Sequence, residues 1–334
     1  MNSKICIVRT QNETVTNHIF DLLATAFRDS GCDVSETLSR KEMLSKKYDY
    51  YLASDLLTAF KLFLRRKKVF FWMQGITPEE SVMEGKTKLH YHFWTFLEKL
   101  TVRKAEHLWV VSKEMIRHLE KKYHVNLSKR TSVLPCYNTT IRKASFFYEK
   151  KYEHNVFVYA GGLTPWQCFD EIIEIYRQIE EKHNDVSLLL LARDKERAEQ
   201  IVKEKGIRNY SIDYVCPDAL DERLAVAKFG FIIRKDDPVN HVATPTKISS
   251  YLSNGIIPIF TSPIRDFASM ARNKKYVLQY DSPVYLERLE ALLSEKIDPN
   301  EIYGEYLAFF EEYYNDGKYL ENCKHEIGRI ISGE

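Results

Sequence analysis

The chain lacks paired cysteines. Its six, Cys6, Cys32, Cys136, Cys168, Cys216 and Cys323, are scattered through 334 residues with no close pair. That spacing excludes a zinc-ligand set and a disulfide framework and fits a reducing cytosol. Long apolar runs are lacking too: none approaches the ~20 residues that a bilayer-spanning helix needs, so any membrane contact is peripheral. The first residues, MNSKICIVRT, show a strand pattern and no signal-peptide layout. There is no repeat, no low-complexity tract, no Asp-x-Asp pair and no recognised nucleic-acid motif, which leaves nucleic acid unsupported as a partner. The expected compartment is the cytoplasm, with the inner face of the membrane as a candidate place of work.

What is present is a large apolar fraction and a split charge. Apolar residues make up 44% of the chain, enough for full cores, and the length suits about two domains. Residues 1–150 hold 26 Lys and Arg against 16 Asp and Glu, net +10; residues 151–334 hold 23 against 31, net −8. Such a basic first half either meets something anionic or simply attracts the acidic second half.

Strand-like and helical patterns alternate along the chain. Apolar runs at 4–9, 49–53, 69–73, 108–112 and 130–134 are separated by helical periodicity at 18–30 and 89–103, and Ser112 can cap the helix that follows it. Residues 137–154 are polar, lack a period and read as a linker. The alternation then restarts, with strands at 156–160, 186–192, 211–215, 229–233 and 256–261 and helices at 169–181, 195–205, 220–227, 285–293 and 300 onward. This pattern predicts parallel sheets with crossover helices, two doubly wound α/β domains in sequence. The expected division is 1–145, joined by a C-terminal helix at about 318–334, and 146–317.

The stretch FIIRKDDPVNHVATPTKISSYLSNGIIPIF, 231–260, contains a short helix between two buried strands. Thr244 is its expected cap, Pro245 suits the first helical position, and Ile248, Tyr251 and Leu252 share one face. Gly255 ends it, since glycine tolerates the left-handed cap. Lys247 therefore lies in the first turn, where the dipole opposes it by about 0.3–1 kcal/mol. A bound anion reverses that sign, because free amides, dipole and ammonium together attract phosphate. The bland alternative is that Lys247 extends into solvent. Gly161 and Gly162 follow one strand, Arg193 another, and Arg234 a third, so these residues and Thr246-Lys247 fall at carboxyl ends of strands, where such sheets bind ligands. Glycines admit close approach and the cations neutralise charge, which points to a diphosphate.

The stretches YAGGLTPWQCFDEII and RKDDPVNHVATPTKISSYLSNGIIPI, with WVVSKEMIRHL through VLPCYN in the first half, resemble the GT-B glycosyltransferases. They are most similar to the bacterial family-four-type enzymes that build capsules, O-antigens and other surface glycans. The resemblance implies two Rossmann-like domains facing a cleft, with the C-terminal helix crossing back to the first. It implies a nucleotide-diphosphate sugar held by the second domain on Gly161, Gly162, Thr246 and Lys247, with Arg234 and Asn240 at polar positions of this subgroup. Trp166, Pro245 and Ser250 complete the expected donor site. A glycan or lipid-linked acceptor would bind the first domain. Where the family places glutamates to hold the ribose, this chain has Ser250 and Val242. Thr164-Pro165-Trp166-Gln167 replaces the usual basic residues, Gln74-Gly75 a histidine-glycine pair, and Thr10-Gln11-Asn12-Glu13 a glycine-rich turn.

Transfer needs stabilisation of the departing diphosphate, which basic side chains and helix amides supply without a metal or another cofactor. Lys247 and Gln74 are the expected catalytic positions. An inverting enzyme also needs a general base; Glu79 and Glu80 are candidates, or else exposed carboxylates that open a helix after Pro78. The basic, aromatic segments at 60–72 and 86–104 are a candidate surface for anionic lipid headgroups, or a core helix with a solvated face. Two other functions stay open: an epimerase or hydrolase of sugar nucleotides, and a non-catalytic nucleotide-sugar-binding partner in a glycan-assembly complex.

Overall fold

A computed structural model describes residues 2–9, 16–38, 43, 47–216 and 219–333. The Thr10–Glu13 segment singled out above lies outside the described residues. The chain forms two compact units: Met1–Asn138 with His241–Thr244 and Asn315–Glu334, and Thr139–Asn240 with Pro245–Tyr314.

The first unit is built on six parallel strands, β1 (Lys4–Val8), β2 (Asp33–Thr37), β3 (Tyr50–Ala53), β4 (Lys68–Met73), β5 (His107–Val110) and β6 (Thr131–Val133). Their order is β2-β1-β3-β4-β5-β6. Helices α1 (Asn17–Asp29), α2 (Leu56–Leu64), α3 (Thr77–Met83), α4 (Lys88–Lys104) and α5 (Lys113–Tyr123) connect them. Val69 to Met73 are all buried, as expected of a strand covered on both faces. α1 buries Ile19, Leu22, Leu23, Ala26 and Phe27, the periodic set that identified it. Ser112 caps α5: its Oγ accepts from the Met115 amide at 3.0 Å and donates to the Val242 carbonyl at 2.7 Å.

The second unit repeats the plan with β7 (Asn155–Ala160), β8 (Val186–Leu191), β9 (Tyr210–Asp213), β10 (Phe229–Ile232), β11 (Ile257–Phe260) and β12 (Leu278–Gln279). Its strand order is β12-β11-β10-β7-β8-β9, and each pairing is parallel. The order reverses beside β7, which pairs with β8 on one side and β10 on the other; that crevice is where doubly wound sheets bind ligands. The helices are α6 (Lys143–Phe146), α7 (Phe169–Lys182), α8 (Lys195–Glu204), α9 (Leu220–Leu224), α10 (Pro238–Val242), α11 (Thr246–Ser253), α12 (Arg265–Met270), α13 (Tyr285–Ser294) and α14 (Pro299–Tyr313). A last helix, α15 (Asp316–Ser332), belongs to the first unit.

One expectation changes and two are refined. Thr244 does not cap α11: its hydroxyl accepts from the Cys136 amide at 3.0 Å, and the cap position is Pro245, with no side-chain bond to the first turn. The segment 137–154, read as a linker, contains the division between the units at Asn138–Thr139, and it also carries buried anchors. Tyr137 is fully buried in the first unit, and Phe146 is buried in the second, its ring 5.2 Å from that of Tyr303; isolated anchors between short turns produce no period. The region expected to be helical from Asn300 onward is two helices, the second matching the separate C-terminal helix expected at about 318–334: the Asn315 side chain accepts from the Lys318 amide at 3.0 Å and caps it. α15 packs on α1 as expected of a returning helix, with His18 Nε2 2.9 Å from Asp316 and the Arg329 guanidinium donating to the Lys129 carbonyl at 2.9 Å. No helix among the described residues is long and apolar enough to cross a membrane.

Gly230, at the centre of β10, lets a ring lie flat on the strand. A Cβ there would come within 2.5 Å of Tyr251 Cε2. Tyr251 is fully buried, and its hydroxyl accepts from the Ala160 amide at 3.0 Å, just before Gly161. Gly230→Ala should therefore destabilise the fold by about 1–3 kcal/mol through overpacking; an unchanged urea midpoint would show that the ring has room to move.

Candidate functional site

The site residues of the second unit gather where β7 and β10 end and α11 begins. Gly161 has φ +148, and a Cβ there would lie 2.8 Å from Lys247 Cε and 2.9 Å from Nζ. Only glycine permits that approach without a shift. Lys247 Nζ sits 4.0 Å above the Tyr159 ring centroid, a cation–π contact, and the Tyr159 hydroxyl donates to the Gly162 carbonyl. α11 ends as the sequence implies: Gly255 has φ +69, its amide donates to the Leu252 carbonyl and the Ile256 amide to that of Tyr251.

Arg234 is 5% exposed. Its amide donates to Thr261 Oγ1 at 2.8 Å and its Nη1 to the Ile233 carbonyl at 3.0 Å. Gln167, in the single turn Pro165–Gln167, joins the two cations: its Oε1 accepts from Lys247 Nζ at 2.6 Å and from Arg234 Nη2 at 3.0 Å. Neither cation has a carboxylate at ion-pair distance among the described residues. Two positive side chains thus share one neutral oxygen. Desolvation, and then repulsion from Arg234, hold the Lys247 ammonium well below its ordinary pKa; desolvation also lowers that of Arg234. The arrangement is basic and has no carboxylate to balance it among the described residues, the complement of a polyanion.

The remaining expected residues are placed less directly. Gly162 is exposed, and Trp166 is half-buried in the turn that carries Gln167. Arg193 is exposed after β8, and no contact joins it to the Lys247–Arg234 pair. Asn240 is buried, its amide donating to the Lys235 carbonyl at 3.0 Å. Ser250 is buried, and its hydroxyl donates to the Thr246 carbonyl at 3.1 Å, back into its own helix. Pro245 sits at the cap position and Thr246 is the first helical residue. Gln167 and Tyr159 were not expected as site residues. Gln167 stands in sequence only as a replacement for basic residues, and its partner lies 80 residues away.

In the first unit, Gln74 and Gly75 follow β4 and Glu79 and Glu80 open α3. A Cβ on Gly75 would fall 1.9 Å from Glu80 Oε1, so glycine makes room for that carboxylate. The two acids differ. Burial raises the Glu79 carboxyl, but His118, with Nε2 3.3 Å from Glu79 Oε1, and Lys122 outweigh it and hold it below its ordinary range; Lys122 Nζ is 2.8 Å from Glu79 Oε1. Glu80 is pushed up to about 7 by burial, with the Glu98 and Glu84 charges adding to it. Glu98 is fully buried. One of its oxygens accepts from Lys122 at 2.8 Å and from the Tyr123 hydroxyl at 2.6 Å, and the other has no hydrogen-bond partner. Among the described residues no group of three His, Cys, Asp or Glu side chains is arranged to hold a metal ion.

No family model matches the chain, and no curated protein matches it. Solved structures do. Sucrose-phosphate synthase from Thermosynechococcus elongatus aligns over 99% of this chain and 98% of that one, at 11% identity and TM-score 0.73. HepE from Anabaena, solved with UDP and glucose, aligns over the full length of both, at 11% identity and TM-score 0.65. A variant of TarM from S. aureus, solved with fondaparinux, alpha-GlcNAc-glycerol and UDP, aligns over 82% of this chain and 55% of that one, at 10% identity and TM-score 0.62. With two parallel six-stranded sheets, each wrapped by helices, and a last helix that returns to the first unit, the chain has the GT-B fold of these glycosyltransferases.

Proposed function

We propose that the chain is a glycosyltransferase that moves a sugar from a nucleotide-diphosphate donor to a glycan or lipid-linked acceptor in surface glycan synthesis. The observation that carries this is the Lys247–Arg234 pair: two cations on one amide oxygen, beside a glycine loop and the uncapped first turn of α11. A diphosphate would replace the shared oxygen with charge of the right sign, and the same groups would stabilise it as it leaves. UDP is the first nucleotide to try, since HepE and TarM were solved with it. Glu80, titrating near neutrality, is the better acid–base candidate of the two glutamates, because Glu79 is fixed as an anion by its partners. Gln74 directly precedes Gly75, the glycine that makes room for Glu80, and is the second candidate of this unit. No metal or other cofactor is required by this scheme.

Ser250 favours a second reading. With its hydroxyl turned into its own helix, the ribose lacks the carboxylate the family supplies, which suits a chain that binds donor without transferring from it. Thermal melts with UDP, GDP, CMP and their sugars test the donor site: at about 100 Kd, linkage predicts a stabilisation of about 2.7 kcal/mol. No shift with any of them at millimolar concentration would end the donor-site reading. Turnover only with acceptor supports transfer, turnover without it a hydrolase or epimerase, and stabilisation alone the binding partner.

A further inference from the structure

α4 has two unlike faces. Toward the unit it buries Leu97, Glu98, Thr101 and Val102. Away from it, Leu89, Phe93 and Phe96 are 78%, 46% and 57% exposed, and their spacing of i, i+4, i+7 places them on one face. Phe60 of α2 meets this stripe, its ring centroid 6.3 Å from that of Phe96, and Leu64, the last residue of α2, is 67% exposed. Clustered exposed leucines and phenylalanines mark an interaction surface.

The surrounding charge is of one sign. α2 contains no acid, and the single acid of α4, Glu98, is buried against Lys122 at 2.8 Å. Arg65, Arg66, Lys86, Lys88, Lys99 and Arg103 are exposed on or beside the two helices, and among the described residues none has a carboxylate at ion-pair distance. Glu84, in the turn before α4, is the exposed acid nearby in sequence. We propose that this face docks the chain on an anionic bilayer, with Leu64, Leu89, Phe93 and Phe96 at the acyl boundary and the cations on headgroup phosphates. A second copy of the chain would bring two cationic faces together, which like-charge repulsion opposes. A soluble polyanion would satisfy the cations but leave the apolar stripe in water. A lipid interface takes both, since it offers hydrocarbon beneath a layer of negative charge.

Flotation of the full chain with phosphatidylcholine vesicles containing about 30 mol% phosphatidylglycerol tests this. Binding is expected to these vesicles and not to pure phosphatidylcholine, and should weaken as salt rises from about 0.1 to 0.5 M. Phe93→Ser with Phe96→Ser, and separately Lys86→Glu with Lys88→Glu, should each lower the vesicle-bound fraction by about tenfold or more. Both variants should keep the wild-type melting temperature, because all four positions are exposed. Absence of wild-type flotation overturns the proposal. So does equal flotation of the phenylalanine variant, which would assign the face to polyanions in general, or self-association abolished by that variant, which would assign it to a second copy.

Discussion

Lys247→Ala should weaken nucleoside-diphosphate binding by about 1.5–3 kcal/mol, the range of a charge-assisted hydrogen bond. The empty protein should melt at the same temperature or slightly higher, since a repulsion with Arg234 and with the helix dipole is removed. Turnover should fall further than affinity, because charge on the leaving diphosphate grows in the transition state. The proton carries a separate signature. Lys247 has a folded pKa well below its ordinary value, so between the two the unfolded chain binds a proton that the folded chain does not. Stability therefore rises with pH across that window, and the substitution should flatten the slope. A bound diphosphate draws the pKa back up, so within that window binding takes up a proton. Calorimetric titration in two buffers of different ionisation enthalpy measures that uptake, and the variant should lose it. Equal affinity and turnover in variant and wild type would leave Lys247 a surface ornament.

Glu98→Ala should destabilise the first unit by about 3 kcal/mol, the lower part of the range for breaking a buried ion pair. Lys122 keeps Glu79, which moderates the loss, but the Tyr123 hydroxyl loses its acceptor and the site a filled volume. Glu98→Gln, which keeps the shape and one acceptor, should lose less. The pH profile gives a second readout. Glu80, raised to about 7, contributes stability that is complete below its unfolded pKa and disappears as pH rises through the folded value. Glu98 contributes to that rise, so Glu98→Ala should pull the Glu80 titration downward and flatten the fall in stability between about pH 5 and 8. A chemical-denaturation series across that range checks both parts; wild-type stability and slope in Glu98→Ala would mean the cluster is energetically idle.

Elements with a strong local pattern were readable from the chain alone. The apolar runs of β4, β7 and β8, the periodic face of α1, the Gly255 stop of α11 and the returning helix all follow from residues close in sequence. Two of the four edge strands, β2 and β12, escaped. β2 is polar and largely uncovered, and β12 spans two residues, too short for any alternation to register. The candidate site was readable to the extent that its residues lie beside strand ends: Gly161, Arg234 and Lys247. Its connecting residue was not. Gln167 gains meaning only when folding brings Lys247 and Arg234 to one oxygen, and Thr244 turns from a helix cap into a partner of Cys136, 108 residues away. A local pattern holds no information about such pairs.

The return of α15 to α1 orders events during synthesis. His18 and Asp316, joined across 298 positions, cannot meet until the ribosome has released nearly the whole second unit. At ~5–20 residues per second, the N-terminal sheet waits on the order of ten seconds with the α1 face that α15 covers open to water. Tyr319, Cys323 and Ile327, buried in the finished protein, are the side chains that close it. The unit begun first is thus completed last, and the nascent chain carries an apolar face that a holding chaperone would recognise throughout that interval.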